Sequence, residues 1–188
     1  MEMLQKLDWT ITEFINFNMS HPFLNKFFPI ITNIHHGKEI FGYIFYALII
    51  AWLALKKTKA LKVLAALVLT LAITDSISYH LIKNNVKRVR PNNNLKVMTV
   101  TRTYGPKSYS FPSNHAVNST AAAVVLSFFY FKFAPLFYIW AFLIAYSRVY
   151  VGVHFVSDVI GGALIGFLMG KFFVLFVFRR FKFFMTAL

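Results

Sequence analysis

Three short blocks hold most of the side chains in this sequence whose types suit chemistry. The last of them, residues 147–158 (SRVYVGVHFVSD), sets Arg148, His154 and Asp158 at the junction of two apolar runs. His154 and Asp158 are four positions apart, so a helix running through both would stack them on one face, where the carboxylate can hold the imidazole. The middle block is Pro112-Ser113-Asn114-His115, and the first places Lys83 and Arg90 at the start of a polar stretch. Three fixed cations, Lys83, Arg90 and Arg148, aimed at one point suit the oxygens of a phosphate and the charge they gain in an in-line displacement. The Ser113 hydroxyl, with backbone N–H groups of a helix starting after Pro112, would complete an anion cradle. Of the two histidines, His154 has the carboxylate partner and is the better nucleophile, because Asp158 fixes its tautomer and stabilises the charge formed as its other nitrogen bonds to phosphorus. His115 remains to protonate the leaving oxygen and later to activate water.

Long apolar runs must position these groups. Of the 188 residues 58% are hydrophobic, only 14% are charged and 23 are Phe, a composition that soluble domains of this length do not show. Runs at 39–55, 59–82, 115–132, 134–151 and 155–178 each approach the roughly 17–25 residues of a spanning helix, and a shorter one lies at 22–34. The expectation is an all-α integral membrane protein with six transmembrane helices. An N-terminal interfacial helix is expected over residues 1–20, where Leu4, Leu7, Trp9, Ile11 and Phe14 alternate with polar positions and no signal peptide pattern is present. No linker, low-complexity tract or internal repeat divides the chain, so residues 1–188 read as a single domain. The only long polar connection, 83–112, is basic and broken by Pro91, Gly105, Pro106 and Pro112.

Crossing the bilayer with these runs brings the three blocks together. The third span ends near Lys83, the fourth starts near Ser113, and the fifth returns near Arg148, so all three blocks meet at one membrane face, as a site at the interface requires. Lys56, Lys57, Lys59, Lys62, Lys132, Arg179, Arg180 and Lys182 fall on the opposite face, which favours that face as cytoplasmic and turns the site to the periplasm or exterior. The net charge of +14 sits beside apolar runs rather than on a soluble face, which points to anionic lipid and away from nucleic acid. The absence of Cys excludes disulfides, thiolate metal sites and a cysteine nucleophile.

Lys83 and Arg90-Pro91, then Pro112-Ser113-Asn114-His115, then Ser147-Arg148 with His154 and Asp158 resemble the three signature blocks of the type-2 phosphatidic-acid phosphatase family. The resemblance runs from residue 83 to 158, and the expected spans extend it to nearly the whole chain. It implies a metal-independent integral-membrane lipid phosphatase, without cofactor, working through a phosphohistidine. His154 would be the nucleophile, Asp158 its partner, His115 the acid, and Lys83, Arg90, Ser113, Asn114 and Arg148 would hold the phosphate. Asn114 stands where the family usually has Gly. Undecaprenyl diphosphate, the lipid A 1-phosphate, phosphatidylglycerol phosphate and phosphatidic acid all fit the resemblance, the first two favoured by the wide basic loop. The small size matches bacterial inner-membrane members acting on envelope lipids, and no protein partner is indicated.

Other readings stand beside this one. A lipid phosphotransferase would use the same phosphohistidine, and a non-enzymatic lipid-binding or transport protein would need the cations but not the paired His154 and Asp158. The blocks also resemble vanadate-dependent haloperoxidases, which are soluble, against the apolar runs here. Lys87, Arg88, Lys96, Arg102 and Lys107 read as interfacial anchors. Asp75, costly inside an apolar run unless paired, reads equally as functional or as held by Ser76, Ser78 and Tyr79 and is left out of the site, and His80 reads as structural. His35 and His36 with Glu39 are a weak metal signal. Gly162, Gly166 and Gly170 mark a close helix contact, and the Asn118-Ser119-Thr120 sequon falls within a span.

Overall fold

The computed structural model describes residues 2–34, 40–105 and 107–186, apart from the side chain of Phe45. Among them there are only helices and connections. Helix α1 (Glu2–Glu13) runs on as a π-helical segment, Phe14–Asn18. Helix α2 (Pro22–Asn33) starts after His21, whose side chain accepts the Phe23 N–H, with Pro22 at the first helical position where its missing N–H costs nothing. Helix α3 (Ile40–Ser76) is two arms joined at Lys57, whose φ of 38° and ψ of −113° break the helix inside the basic KKTK stretch. It continues as a π-helical segment to Lys83 and a single turn, α4 (Asn84–Val86), which Lys87 closes in the left-handed region at φ 50°. After the long connection come α5 (Asn114–Phe129), α6 (Ala134–Tyr150), α7 (Val156–Phe172, continuing as a π-helical segment to Phe178) and the short α8 (Lys182–Met185).

Helix α5 is the axis. Apart from Phe129 at its end, its buried residues are small or β-branched, Ala116, Val117, Ala121, Ala123, Val124 and Val125, and it packs against α3, α6 and α7. The approach of α7 is the tightest. A Cβ on Gly166 would lie 2.2 Å from the Val117 carbonyl oxygen, and one on Gly162 would lie 2.8 Å from that of Ser113. The expected close contact of the glycine stripe is therefore backbone against backbone. Among the described residues three stretches are long and apolar enough to cross a membrane, Ile40–Asn93, Phe131–Tyr150 and Val156–Phe178.

The two ends of the bundle differ in kind. At the far end the Tyr130 ring meets Trp52 from one arm of α3 and Lys59 from the other, so the Lys57 bend sits beside the end of α5. Phe129, Phe173, Phe178 and Phe184 close that end with ring contacts. At the opposite end lie the long connection, α1, α2 and the turn between α6 and α7.

Two expectations change here. The run at 22–34 was expected to be a span, but α2 has 12 residues, about 18 Å, against a hydrocarbon core of about 30 Å. Both its ends also meet the same end of the bundle: His21 N–H and Asn25 bond the Tyr150 hydroxyl, while Thr32 and Asn33 bond Arg148 and Thr103. Helix α2 by itself is therefore too short for a crossing. In the helical segment from Glu2 to Asn18 it is the polar stripe, not the apolar face, that meets the protein. Thr12 and Asn16 are fully buried, while Leu4 and Leu7 are 68% and 54% exposed. Polar inward and apolar outward is the order that lipid surroundings demand.

Candidate active site

The turn that carries His154 is built by a glycine. Helix α6 ends with Val153 N–H donating to the Arg148 carbonyl and Gly152 N–H to that of Val149, the paired bonds of a Schellman motif. Gly152 has φ +81°, and a Cβ there would fall 2.6 Å from the Val100 carbonyl oxygen, so the position needs glycine on both counts. Helix α7 begins only at Val156, so His154 precedes the helix. Its pairing with Asp158 therefore comes from a different device than helical stacking. Asp158, in the first turn of α7, reaches back to accept the Phe155 N–H at 2.9 Å, the reciprocal half of a capping box, and this turns its carboxylate towards the imidazole.

His154 Nδ1 lies 3.5 Å from Asp158 Oδ2, and the hydroxyl of Ser110 donates to that same oxygen while lying 3.5 Å from Nδ1. On the other side of the ring Arg90 Nη1 is 3.0 Å from Nε2. A guanidinium only donates, so Nε2 is the acceptor and the ring proton sits on Nδ1, facing the carboxylate. That leaves the lone pair of Nε2 on the cationic side. Burial, with the charges of Arg90 and Arg148, pushes the pKa of His154 down to about 3 against the opposing hydrogen bond from Asp158, so the imidazole is neutral at neutral pH.

Lys83 and Arg90 are buried and tied to the loop. Lys83 Nζ donates to the carbonyls of Tyr109 and Pro112, and Arg90 donates to those of Ser108, Tyr109 and Val153, so both cations share the Tyr109 oxygen. Ser113 caps α5 and its N–H donates to the Asp158 carbonyl, joining the starts of α5 and α7. Its hydroxyl is buried without a partner, as is Nε of Arg148, whose Nη1 bonds Thr32. A bound anion would satisfy both.

Lys83, Arg90, Ser113, Arg148, His154 and Asp158 thus gather at one end of the bundle, and the two remaining candidates, Asn114 and His115, open the first turn of α5 next to Ser113. The Asn114 side chain bonds Ser78 and Asp75, so only its backbone is available to an anion at the cradle. His115 lines a cavity of about 690 Å³ between α3, α5 and α6. One end of that cavity is polar, with Asp75, Asn114, Asn118 and Ser119 beside His115, and the rest is lined by residues such as Leu71, Leu126, Phe137, Trp140 and Ile144. Asp75 finds partners here other than the expected Ser76, Ser78 and Tyr79: Asn114 and Asn118 each donate to its Oδ1 at 2.9 Å.

Sequence reasoning missed several participants. Ser110 had no signal beyond being a polar residue in a loop. Arg88, read as an interfacial anchor, donates to Asp158 Oδ1 at 2.6 Å, and Asp8 of α1 binds Arg88 in turn. Arg102, read the same way, donates to the Tyr150 carbonyl and to Ser20. His35, His36, Glu39 and Pro106 lie outside the described residues. Among the described residues no three His, Asp or Glu side chains group as metal ligands would.

A family model described as the PAP2 superfamily matches residues 59–182, which include all three blocks. The chain is 31% identical over 163 residues to the lipid A 4'-phosphatase of Porphyromonas gingivalis, covering 82% of this chain and 66% of that one. It is 35% identical over 111 residues to phosphatidylglycerophosphatase B of Bacillus subtilis, covering 51% of this chain and 49% of that one. The chain thus spans about two thirds and about half the length of these relatives. A crystal structure of a transmembrane PAP2 type phosphatidylglycerolphosphate phosphatase from Bacillus subtilis superposes with a TM-score of 0.66 at 28% identity, covering 97% of this chain and 90% of that one.

Proposed function

The chain belongs to the PAP2 superfamily, and from that premise we propose that it is an integral-membrane phosphatase that removes a phosphate from a lipid through a phosphohistidine. One observation carries the reading: a buried, neutral imidazole with Nε2 as acceptor faces Arg90, beside a Ser113 hydroxyl and an Arg148 Nε that have no protein partner. The phosphate would sit there, with Arg90 and Lys83 exchanging loop carbonyls for phosphate oxygens. Nε2 of His154 attacks phosphorus, the bond from phosphorus to the lipid oxygen breaks, and Asp158 stabilises the imidazolium that forms. His115 gives its proton to the leaving oxygen. It suits that role because it stands at the polar end of a largely apolar cavity, where the lipid part of the substrate would lie. Water, deprotonated by His115, then attacks phosphorus and frees inorganic phosphate and His154.

The lipid A 1-phosphate or undecaprenyl diphosphate is the favoured substrate, because the basic loop suits a large anionic headgroup. The Porphyromonas gingivalis relative is named for the 4'-phosphate of lipid A, so both lipid A phosphates belong in the test. The two arms of α3, with α5, α6 and α7, would cross the bacterial inner membrane five times, with α1 and α2 lying at the site end. The exposed cations at the far end, among them Lys56, Lys132, Arg179 and Arg180, favour the cytoplasm there and put the site on the periplasmic side.

The test is phosphate release by the purified protein in detergent, with chelator present, from lipid A phosphates, undecaprenyl diphosphate, phosphatidylglycerol phosphate and phosphatidic acid. Release from at least one lipid, lost by about 10⁴-fold or more in His154→Ala, is the expected result. Release that survives in the variant, or label passing to an acceptor lipid with little free phosphate, would overturn the proposal.

A further inference from the structure

Arg88 is held on every side. Its Nη1 donates to Asp158 Oδ1 and to Ser157 Oγ, each at 2.6 Å, and its Nη2 donates to Asp8 Oδ2 at 2.6 Å. The guanidinium lies 4.1 Å from the centroid of the Phe155 ring. Asp8 completes the cluster by accepting the Ser157 N–H at 2.9 Å and the Ser157 hydroxyl at 2.6 Å. An anchor that reached for headgroups would show none of this.

The division of labour between the two oxygens of Asp158 gives the cluster its meaning. Oδ2 takes the Phe155 N–H and the Ser110 hydroxyl and is the oxygen nearest His154 Nδ1. Oδ1 is held by Arg88. The torsion that turns a carboxylate about its own axis is intrinsically broad, so something must set it. Arg88 pulls on the oxygen that faces away from the imidazole, and it is braced by a second carboxylate on a helix about 80 residues away in sequence. A planar fork suits this double duty as a point charge would not.

We propose that Arg88, braced by Asp8 of α1, is a positioning residue that fixes the rotation of the Asp158 carboxylate and so keeps Oδ2 directed at His154, making the N-terminal helix part of the active unit. This rests on the reading of His154 as nucleophile. Arg88 touches no reacting atom and acts only through Asp158, so its loss impairs turnover and spares substrate affinity.

The test compares the wild type, His154→Ala, Arg88→Ala, Arg88→Lys and Asp8→Asn in the full chain, by steady-state phosphate release on the monodisperse fraction of each. Arg88→Ala is expected to lower kcat by about 10–100-fold, as loss of an orienting partner does elsewhere, with KM little changed. Arg88→Lys should recover part of that loss, and Asp8→Asn should show a smaller fall in kcat of the same kind. An active wild type whose kcat is unchanged in Arg88→Ala overturns the inference and leaves the proposed function standing. So does a rise in KM alone, which would make Arg88 a substrate ligand. A wild type as inactive as His154→Ala overturns both.

Discussion

The two ends of this bundle are built from different materials. At the far end Phe129, Phe173, Phe178 and Phe184 meet through tilted and stacked rings, and Lys59 lies over the ring of Tyr130. At the site end an apolar cluster of Phe28, Tyr150, Val151 and Val153 stands beside a network of directed hydrogen bonds, in which segments from α1, the long connection, α5 and the turn before α7 all end. Apolar packing tolerates small shifts, because dispersion has no direction. A hydrogen-bond network does not, since a lost partner leaves a buried polar group unmet. The difference teaches where precision is needed: stability can come from either end, but alignment of His154 can come only from one.

Four experiments would break or sharpen this contrast. The largest effect belongs to Asp158→Asn, which keeps the shape but offers the imidazole an ambiguous partner and strips Arg88 of its charge pair. Phosphate release should fall by about 10⁴-fold, as for a triad carboxylate replaced by its amide. If the folded variant keeps its activity, the directed network is dispensable and the contrast fails. Phe178→Ala at the other end should cost about 3–5 kcal/mol in unfolding, read by thermal or denaturant melts in detergent, with activity per folded molecule unchanged. Gly166→Ala lies between the ends, where a Cβ would meet the Val117 carbonyl oxygen at 2.2 Å. It should cost about 1–3 kcal/mol of stability and lower activity as well, because it pushes α7 off α5 and takes Asp158 with it.

The smallest effect is on pH. His154 has a folded pKa of about 3, below the ordinary value near 6.5, so between these values the unfolded chain binds the proton that the folded one refuses. Stability is complete above about pH 6.5 and falls as pH drops below it, by up to about 1.4 kcal/mol per pH unit. Melts at about pH 7 and about pH 5 should show this slope in the wild type and a shallower one in His154→Asn.

The residues of the three blocks were legible because charge at the end of an apolar run is costly and stands out, and because the order of crossings forces those ends together. Helix existence was legible for the same reason. What escaped notice had no local signature. Asp8 and Arg88 are separated by 80 positions, and each alone reads as an ordinary polar surface residue. The stripe Asp8, Thr12 and Asn16 shares α1 with exposed Leu4 and Leu7, and hydropathy alone does not say which face of such a helix meets protein. Asn114 has one backbone and one side chain with different duties, and a motif records only its presence. The His154–Asp158 spacing of four suggested helical stacking, whereas the Gly152 turn and a capping carboxylate produce the pairing. The short α2 follows from hydrogen bonds at both its ends, to Tyr150, Arg148 and Thr103, partners that no window of hydropathy contains.

Asp158, Gly162, Gly166 and Gly170 follow one another at intervals of four. The Asp158 carboxylate therefore lies on the same stripe of α7 as the notches that seat this helix on α5, and the two are in phase. One residue inserted between Asp158 and Gly162 would keep every side chain and every hydrophobic contact type, yet it would turn the carboxylate about 100° from the notches. The azimuth of the Asp158 carboxylate is thus set by a groove of backbone that never touches it, and the helix works as a key whose bitting is read along its whole shaft.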